Sequence, residues 1–178
     1  MKGIIFNIVE SVVIAEQGID AWDDVIDESG VLGAYTSLGT YPDSDLLAIA
    51  SSVASRVNAT PSAVIKHVGH QGLSRIYDRY PEFFTDHDDV LSFLLSIDSI
   101  IHPEVRSLYP GADVPFFTYN VVDEHTLEMT YRSSRKRCDF AEGLILGAAE
   151  HYGQTVDIAR PRCMMRGDDD CVLRVTTT

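Results

Sequence analysis

Three polar side chains at alternate positions, Tyr131, Ser133 and Arg135, are the first residues in this sequence whose types and spacing could do chemistry. On an extended segment such positions point to the same side of the chain, so a phenol, a hydroxyl and a guanidinium face one ligand. The guanidinium is a planar bidentate donor for a carboxylate, and the two hydroxyls can satisfy its remaining lone pairs. The pattern is typical of a carboxylate-binding site, and a polar strand face near a turn is the alternative interpretation.

His102 is the second candidate, because it follows directly on a strongly apolar run and precedes Pro103. We expect the helix to bend or end at Pro103, since proline has no amide hydrogen. A neutral imidazole at the edge of an apolar pocket can ligate heme iron, whereas a histidine at a helix end can also be a surface or capping residue. A heme needs an axial base in an apolar slot and donors for two propionates at the rim. The two features therefore indicate a heme site only when taken together.

The three cysteines are Cys138, Cys163 and Cys171. An odd number, with two of them eight residues apart, does not match the disulfide framework of a small secreted protein. Reduced thiols or a metal site are the two alternatives that the sequence leaves open.

Helical periodicity runs through the first 110 residues, and this part of the chain must position His102. Apolar spacing and helix-boundary residues predict successive helices at 4–17, near 22–30, from the Pro42-Asp43-Ser44 cap to about 57, from Thr60-Pro61 to Tyr80, and from 90 to His102.

Beyond Tyr109-Pro110-Gly111 the apolar period changes to two, which predicts strands. We expect strands at 117–122 and 126–132 to pair as a hairpin, a helix at about 138–152, and two more strands at 155–159 and 171–175. The fold class predicted is α+β: a helical N-terminal lobe, then helices packed on a small, roughly four-stranded antiparallel sheet.

The charge balance excludes one class of partner. Against 14 basic residues stand 27 acidic ones, a formal net charge of -13, and no segregated basic face is visible, so we expect no nucleic-acid binding. The N-terminus lacks the features of a signal peptide, and no stretch approaches the roughly 20 apolar residues of a membrane span. The sequence therefore predicts a cytoplasmic protein without a membrane partner.

Three segments in this order resemble the H-NOX family, the heme nitric oxide/oxygen binding domains related to the sensor of soluble guanylate cyclase. They are the opening MKGIIFN, the segment IHPEVRSLYPGA at 101–112, and the Tyr131-x-Ser133-x-Arg135 motif. The resemblance covers the whole chain and is to the stand-alone bacterial sensors. It implies a single H-NOX domain over 1–178, with a helical N-terminal lobe at 1–60 and the heme-ligating helices and sheet at 61–178, and with heme b buried between them.

The resemblance also implies roles for individual residues. His102 would be the proximal iron ligand, Tyr131, Ser133 and Arg135 would bind the propionates, and Pro115 would press on the heme. Family members that hold oxygen have a distal tyrosine where this chain has Phe140. A distal hydrogen-bond donor favours a stable oxygen complex, so we expect ferrous heme to bind nitric oxide and carbon monoxide but not to hold oxygen. Ile5, Val9 and Leu144 would complete an apolar distal wall.

For signalling, the resemblance implies that nitric oxide weakens the bond between His102 and iron and lets the helical lobe rotate against the sheet lobe. Because the sequence ends at Thr178 without an output domain, we expect a separate partner, a histidine kinase or a cyclic-di-GMP enzyme. No enzymatic activity is predicted, since Phe140, Ile5 and Val9 offer no acid or base for a peroxidase or oxygenase. A heme-free module in which His102 caps a helix is the other alternative.

Some relatives in this family bind structural zinc with three cysteines and one histidine, and Cys138, Cys163 and Cys171 match those cysteines. Arg160 stands at the place of the histidine, and a tetrahedral site needs four ligands. His151 or one of Asp168, Asp169 and Asp170 would have to substitute for it. Three buried thiols, or a redox-sensitive thiol cluster with a sensing role of its own, are the alternatives to zinc.

Overall fold

The computed structural model describes residues 1–178 and confirms the predicted α+β fold class. Seven α-helices are present: α1 Gly3–Gln17, α2 Ile19–Ser29, α3 Asp43–Val57, α4 Pro61–Arg79, α5 Val90–Ser96, α6 His102–Leu108 and α7 Cys138–His151. Four strands follow the sixth helix: β1 Phe116–Val121, β2 Thr126–Arg132, β3 Val156–Arg162 and β4 Cys171–Thr177. None of the helices combines the length and apolarity that a membrane crossing requires.

The end of α2 and the start of α4 lie where the sequence signals place them. Gly30 adopts the left-handed conformation after α2, with a φ of 67°. The Thr60 side chain accepts a hydrogen bond from the Ala63 amide, and Pro61 occupies the first turn of α4, where its missing N–H costs nothing.

The strands form one antiparallel sheet in the order β1-β2-β4-β3. The hairpin predicted from period two is confirmed, with Phe117 opposite Tyr131. Along β2 the side chains of Leu127, Met129 and Tyr131 are buried and alternate with partly or fully exposed ones. This buried face packs with α5 and α7 in the C-terminal hydrophobic core.

A second hydrophobic core lies among α1, α2 and α3, with Phe6, Val25 and Ile49 fully buried. Helix α4 contributes to both cores, through Val64 near its start and Leu73 further along. It therefore joins the N-terminal helices to the rest of the molecule.

The helix before His102 differs from the prediction. Residues Ile97–Ile101 form a π-helix, and the chain continues past Pro103 as α6 instead of ending there. The His102 amide donates to the Ile97 carbonyl, five residues back. Pro103 lies in the first turn of α6, directly after the π-helix, and the first turn of a helix is where proline is tolerated.

Candidate functional site

A deep cavity of about 280 Å³ lies between the helices and the sheet. Its wall is formed by 32 residues, of which 25 are hydrophobic, and they come from α1, α4, α5, α6, α7, β1, β2 and the loops between them. An apolar cavity with a small number of polar side chains at defined places is the usual form of a cofactor site.

Eight of the nine residues that the sequence singled out for heme line this cavity. They are Ile5, His102, Pro115, Tyr131, Ser133, Arg135, Phe140 and Leu144. Val9 does not line it: its side chain is 2% exposed and belongs to the N-terminal core, where it lines a small void behind Phe140. Helical spacing explains the difference, because α1 turns Ile4, Ile5 and Ile8 toward the cavity and Val9 toward α3 and α4.

The side chain of His102 is 10% exposed, and its ring carries one hydrogen bond. Its Nδ1 atom lies 3.1 Å from Asp98 Oδ1, and its ring stacks on Phe117 with the centroids 5.8 Å apart. Burial lowers the pKa of His102 below its ordinary value, which the Asp98 carboxylate opposes. The side chain is thus a neutral imidazole at the wall of an apolar cavity, which is the state that ligates a metal.

Tyr131, Ser133 and Arg135 line the same cavity, but not as three positions of one strand. Strand β2 ends at Arg132, and a turn follows in which the Ser133 carbonyl accepts from the Lys136 amide at 3.2 Å. Burial raises the pKa of Tyr131 to about 12, so its phenol stays protonated and able to donate.

Arg135 is held by two acidic residues that sequence reasoning missed. Its Nε donates to Asp43 Oδ2 at 3.0 Å, and its Nη2 lies 3.7 Å from Asp113 Oδ2. Asp43 also pairs with the N-terminal ammonium of Met1 at 2.8 Å. Burial acts to raise the pKa of Asp43, but these two cations outweigh it and lower the pKa. Asp43 is 92 residues from Arg135, so no local pattern could have signalled the pair.

The distal residues form an apolar wall. Phe140 and Leu144 on α7 and Ile5 on α1 present only hydrocarbon atoms to the cavity. Two phenols that the sequence analysis did not single out, Tyr80 and Tyr109, also line it, and their hydroxyls are hydrogen-bonded to each other. The Tyr80 hydroxyl accepts a further bond from Arg79 Nε at 3.0 Å.

The three cysteines come together away from the cavity. All three sulfur atoms lie within 4.8 Å of one another, and those of Cys138 and Cys163 are 3.6 Å apart. Burial raises the pKa of Cys138, and that of Cys171 to about 12. At Cys163 burial acts in the same direction, but the Met165 backbone and the neighbouring thiols outweigh it, so that the pKa is lowered.

The donor set around these thiols is one ligand short of a tetrahedral zinc site. Arg160 Nη1 lies 3.4 Å from Cys138 Sγ and Arg160 Nη2 lies 3.0 Å from Glu142 Oε2, so a cation with no free lone pair covers the cluster. The substitutes considered above are held by other partners, and the Asp168 carboxylate next to the cluster accepts from the Cys163 amide at 2.6 Å. The exposed His151 packs on Tyr77, and Asp170 pairs with two arginines.

The chain matches the family described as Haem-NO-binding over residues 2–160. Among solved structures, an H-NOX protein from S. oneidensis in the Fe(II)NO state is 32% identical, with a TM-score of 0.93 and coverage of 100% of this chain and 99% of that one. An H-NOX domain from Shewanella oneidensis in the Fe(II)CO state is also 32% identical, with a TM-score of 0.91 and coverage of 100% of this chain and 99% of that one. Unliganded Fe(II) H-NOX from K. algicida is 29% identical, with a TM-score of 0.89 and coverage of 100% and 97%. No curated protein matches the sequence.

These matches indicate a heme-based gas sensor. The chain belongs to the H-NOX family. The residues of the cavity fit heme on chemical grounds, because one wall carries a buried neutral imidazole, and a guanidinium and two hydroxyls lie along its lining.

Proposed function

We propose that this protein senses nitric oxide with heme b, held by His102 as the axial ligand and by Tyr131, Ser133 and Arg135 at the propionates. Bound there, heme would supply a ferrous iron that binds a diatomic gas. The observation that carries the proposal is the pairing of a buried imidazole with an otherwise apolar wall in one cavity. Pro115 lines the same cavity and is the residue we expect to press on the macrocycle.

Phe140 supports nitric oxide and carbon monoxide over oxygen. A phenyl ring fills the space of a tyrosine without its hydroxyl, so this position offers no hydrogen bond to a polarised ligand. The other phenols of the cavity have protein partners, since Tyr80 and Tyr109 bond each other and the Tyr131 hydroxyl accepts from the Arg137 amide at 3.0 Å. The same wall lacks an acid or base for cleaving an O–O bond, which argues against a heme enzyme.

The proposed signal is release of His102 when nitric oxide binds. His102 opens α6 and directly follows the π-helix, so its release frees the segment that borders the cavity. The N-terminal helices then rotate against the sheet, and a separate histidine kinase or cyclic-di-GMP enzyme reads the change. The relatives from S. oneidensis, solved in Fe(II)NO and Fe(II)CO states, support the choice of gases.

The absorption spectrum of the reduced protein, recorded in air and then under nitric oxide, tests heme, gas and axial ligand together. We expect a ferrous heme spectrum that air does not convert to a stable oxygen complex and that nitric oxide shifts. His102→Gly should lose heme or retain it only with added imidazole. An unchanged ferrous spectrum in that variant would overturn the assignment of His102.

Phe140→Tyr tests the distal wall. The added hydroxyl should stabilise bound oxygen and slow its dissociation, while the nitric oxide affinity changes little. Stopped-flow oxygen dissociation measures this, with Tyr77→Phe, outside the cavity, as a control for loss or gain of a phenol. Equal oxygen binding in Phe140→Tyr and wild type would show that residue 140 does not face the gas.

The thiol cluster is a second candidate sensing site, favoured by the convergence of Cys138, Cys163 and Cys171. We propose three reduced thiols as its resting state, with zinc as the alternative that would need a fourth ligand from outside the cluster. Metal analysis with thiol titration decides between them. Reactive thiols without zinc support the first, and one equivalent of zinc with unreactive thiols supports the second.

A further inference from the structure

His102 is the only polar partner of the Asp98 carboxylate. Its Oδ1 atom lies 3.1 Å from His102 Nδ1, and its carboxylate has no other hydrogen bond or ion pair. A carboxylate can only accept, so the proton of the neutral imidazole sits on Nδ1. The lone pair is therefore on Nε2, the nitrogen left for a metal.

The backbone around Asp98 is unusual. Asp98 lies in the π-helix Ile97–Ile101, whose last hydrogen bond runs from the His102 amide to the Ile97 carbonyl. Single π-turns are rare and concentrate at functional sites, because they reorient side chains within an otherwise regular helix. Here the Asp98 carboxylate, within the π-turn, lies at the back of the imidazole that faces the cavity.

Strand β1 encloses this pair. Phe117 stacks on the His102 ring, and the Tyr119 hydroxyl is buried without a hydrogen-bond partner. Burial raises the pKa of Tyr119 to about 12, while the backbone of Asp98 acts to lower it and the Asp98 charge to raise it. The side chains of Asp98 and His102 are 21% and 10% exposed, so water competes little for their hydrogen bond.

We propose that Asp98 is a positioning residue that sets how firmly His102 holds iron. A carboxylate on the far nitrogen of a ligating histidine fixes its tautomer and orientation and makes the imidazole a stronger donor. Asp98 thereby opposes release of His102 from the iron. It sets the fraction of protein molecules in which nitric oxide releases His102. This inference rests on the proposed function of His102.

Two variants test it in the heme-loaded ferrous protein. Asp98→Asn keeps the shape but weakens the acceptor, and Asp98→Leu removes it. We expect the iron–histidine stretching band in resonance Raman spectra to move to lower frequency, more in Asp98→Leu than in Asp98→Asn. Under nitric oxide the ratio of released to bound His102, read from the absorption spectrum, should rise about tenfold in Asp98→Leu.

A second readout follows the proton itself. In the CO-bound protein, which is diamagnetic, the Nδ1 proton of His102 should resonate far downfield in wild type and move upfield in both variants. A merely structural role for Asp98 would not shift this signal while heme stays bound. Glu104→Gln is the matched control, since it removes an equal charge two residues from His102 on an exposed position.

The outcomes are distinct. A normal heme spectrum with unchanged Raman band and Nδ1 proton in Asp98→Leu would overturn the role of Asp98 and leave His102 as ligand. An equal shift in Glu104→Gln would also overturn it, because the cause would then be net charge. A wild-type spectrum in His102→Gly would contradict the proposed function, and this inference with it.

Discussion

At the scale of single residues, most charged groups near the cavity form ion pairs or hydrogen bonds within the protein. Arg135 is bonded to Asp43 and lies near Asp113, and Arg79 is bonded to Tyr80. A propionate at this rim must therefore share Arg135 with two carboxylates. Arg135 is 19% exposed, so its charge is only partly screened by water.

Arg135→Gln should weaken heme retention. Loss of a hydrogen bond to a charged group costs about 1.5–3 kcal/mol, which corresponds to a rise in the heme dissociation rate of about tenfold or more. Asp43 and Asp113 would lose the neutralising guanidinium and would add repulsion toward the propionates. Transfer of heme to apomyoglobin measures the rate. Arg132→Gln, on a 63% exposed side chain that pairs with Asp170, should change it little.

Arg160→His should create a zinc site from three cysteines that lack a fourth ligand. The imidazole adds a donor in place of a cation 3.4 Å from Cys138 Sγ, which completes a tetrahedral set. We expect close to one equivalent of zinc by metal analysis and a loss of titratable thiols. Arg160→Gln, which removes the cation without supplying an imidazole, is the control. Equal zinc in all three proteins would mean that the cysteines recruit their fourth ligand elsewhere.

At the scale of elements, α4 and α7 pack through glycines. A Cβ atom on Gly69 would lie 2.6 Å from the Phe140 carbonyl oxygen, and one on Gly143 would meet the Lys66 carbonyl oxygen closer still. These close approaches fix where α7 lies, and Phe140 and Leu144 with it. The position of the distal wall thus depends on the absence of two side chains.

Gly143→Ala should force the helices apart. Overpacking costs about 1–3 kcal/mol, and the better helix propensity of alanine returns up to about 1 kcal/mol. We expect a net loss of about 1–2 kcal/mol, seen as a fall in Tm of about 2–8 °C for the heme-loaded protein. Gly69→Ala should lose less, since its contact is longer. Gln71→Ala, exposed on α4, is the control, and an equal Tm in Gly143→Ala would refute the close packing.

Elements were predictable from sequence wherever a local pattern specified them. The hairpin of β1 and β2 follows from alternation, and the start of α4 from Thr60-Pro61, because caps and periods act within a few residues. The π-turn before His102 has no such signal, and the helix continues past Pro103 instead of ending there. The Asp43–Arg135 pair depends on tertiary packing. Residue types and spacing suggested a carboxylate site at Tyr131 and a heme ligand at His102, and the family resemblance selected these interpretations over their alternatives.

At the scale of the whole molecule, Arg135 links two parts of the chain across the cavity rim. Asp43 opens α3 in the N-terminal part, while Arg135 lies in the turn between β2 and α7. Together with α4, which contributes to both hydrophobic cores, this pair restrains the relative orientation of the helices and the sheet. Any rotation of one against the other has to stretch it.

Asp43→Asn should make the free energy of unfolding less dependent on pH in the acidic range. The folded protein holds the pKa of Asp43 below its ordinary value near 3.8, so the stabilisation is complete above that pH and is lost as the pH falls further. The variant should be less stable than wild type at neutral pH, and the difference should shrink below about pH 4. Urea unfolding at several pH values measures this. The exposed Asp86→Asn should show no such trend.

The π-turn also has a geometric consequence. It contains one residue more than an α-helical turn would, so the face of α6 is offset from the face of α5 by about 100°. None of its residues, Ile97–Ile101, is buried, and Ile100 is 55% exposed. The extra residue rotates α6 relative to α5 without interrupting the helix. The helices on either side keep their hydrogen bonds, and the direction of the His102 side chain does not depend on the core that anchors α5.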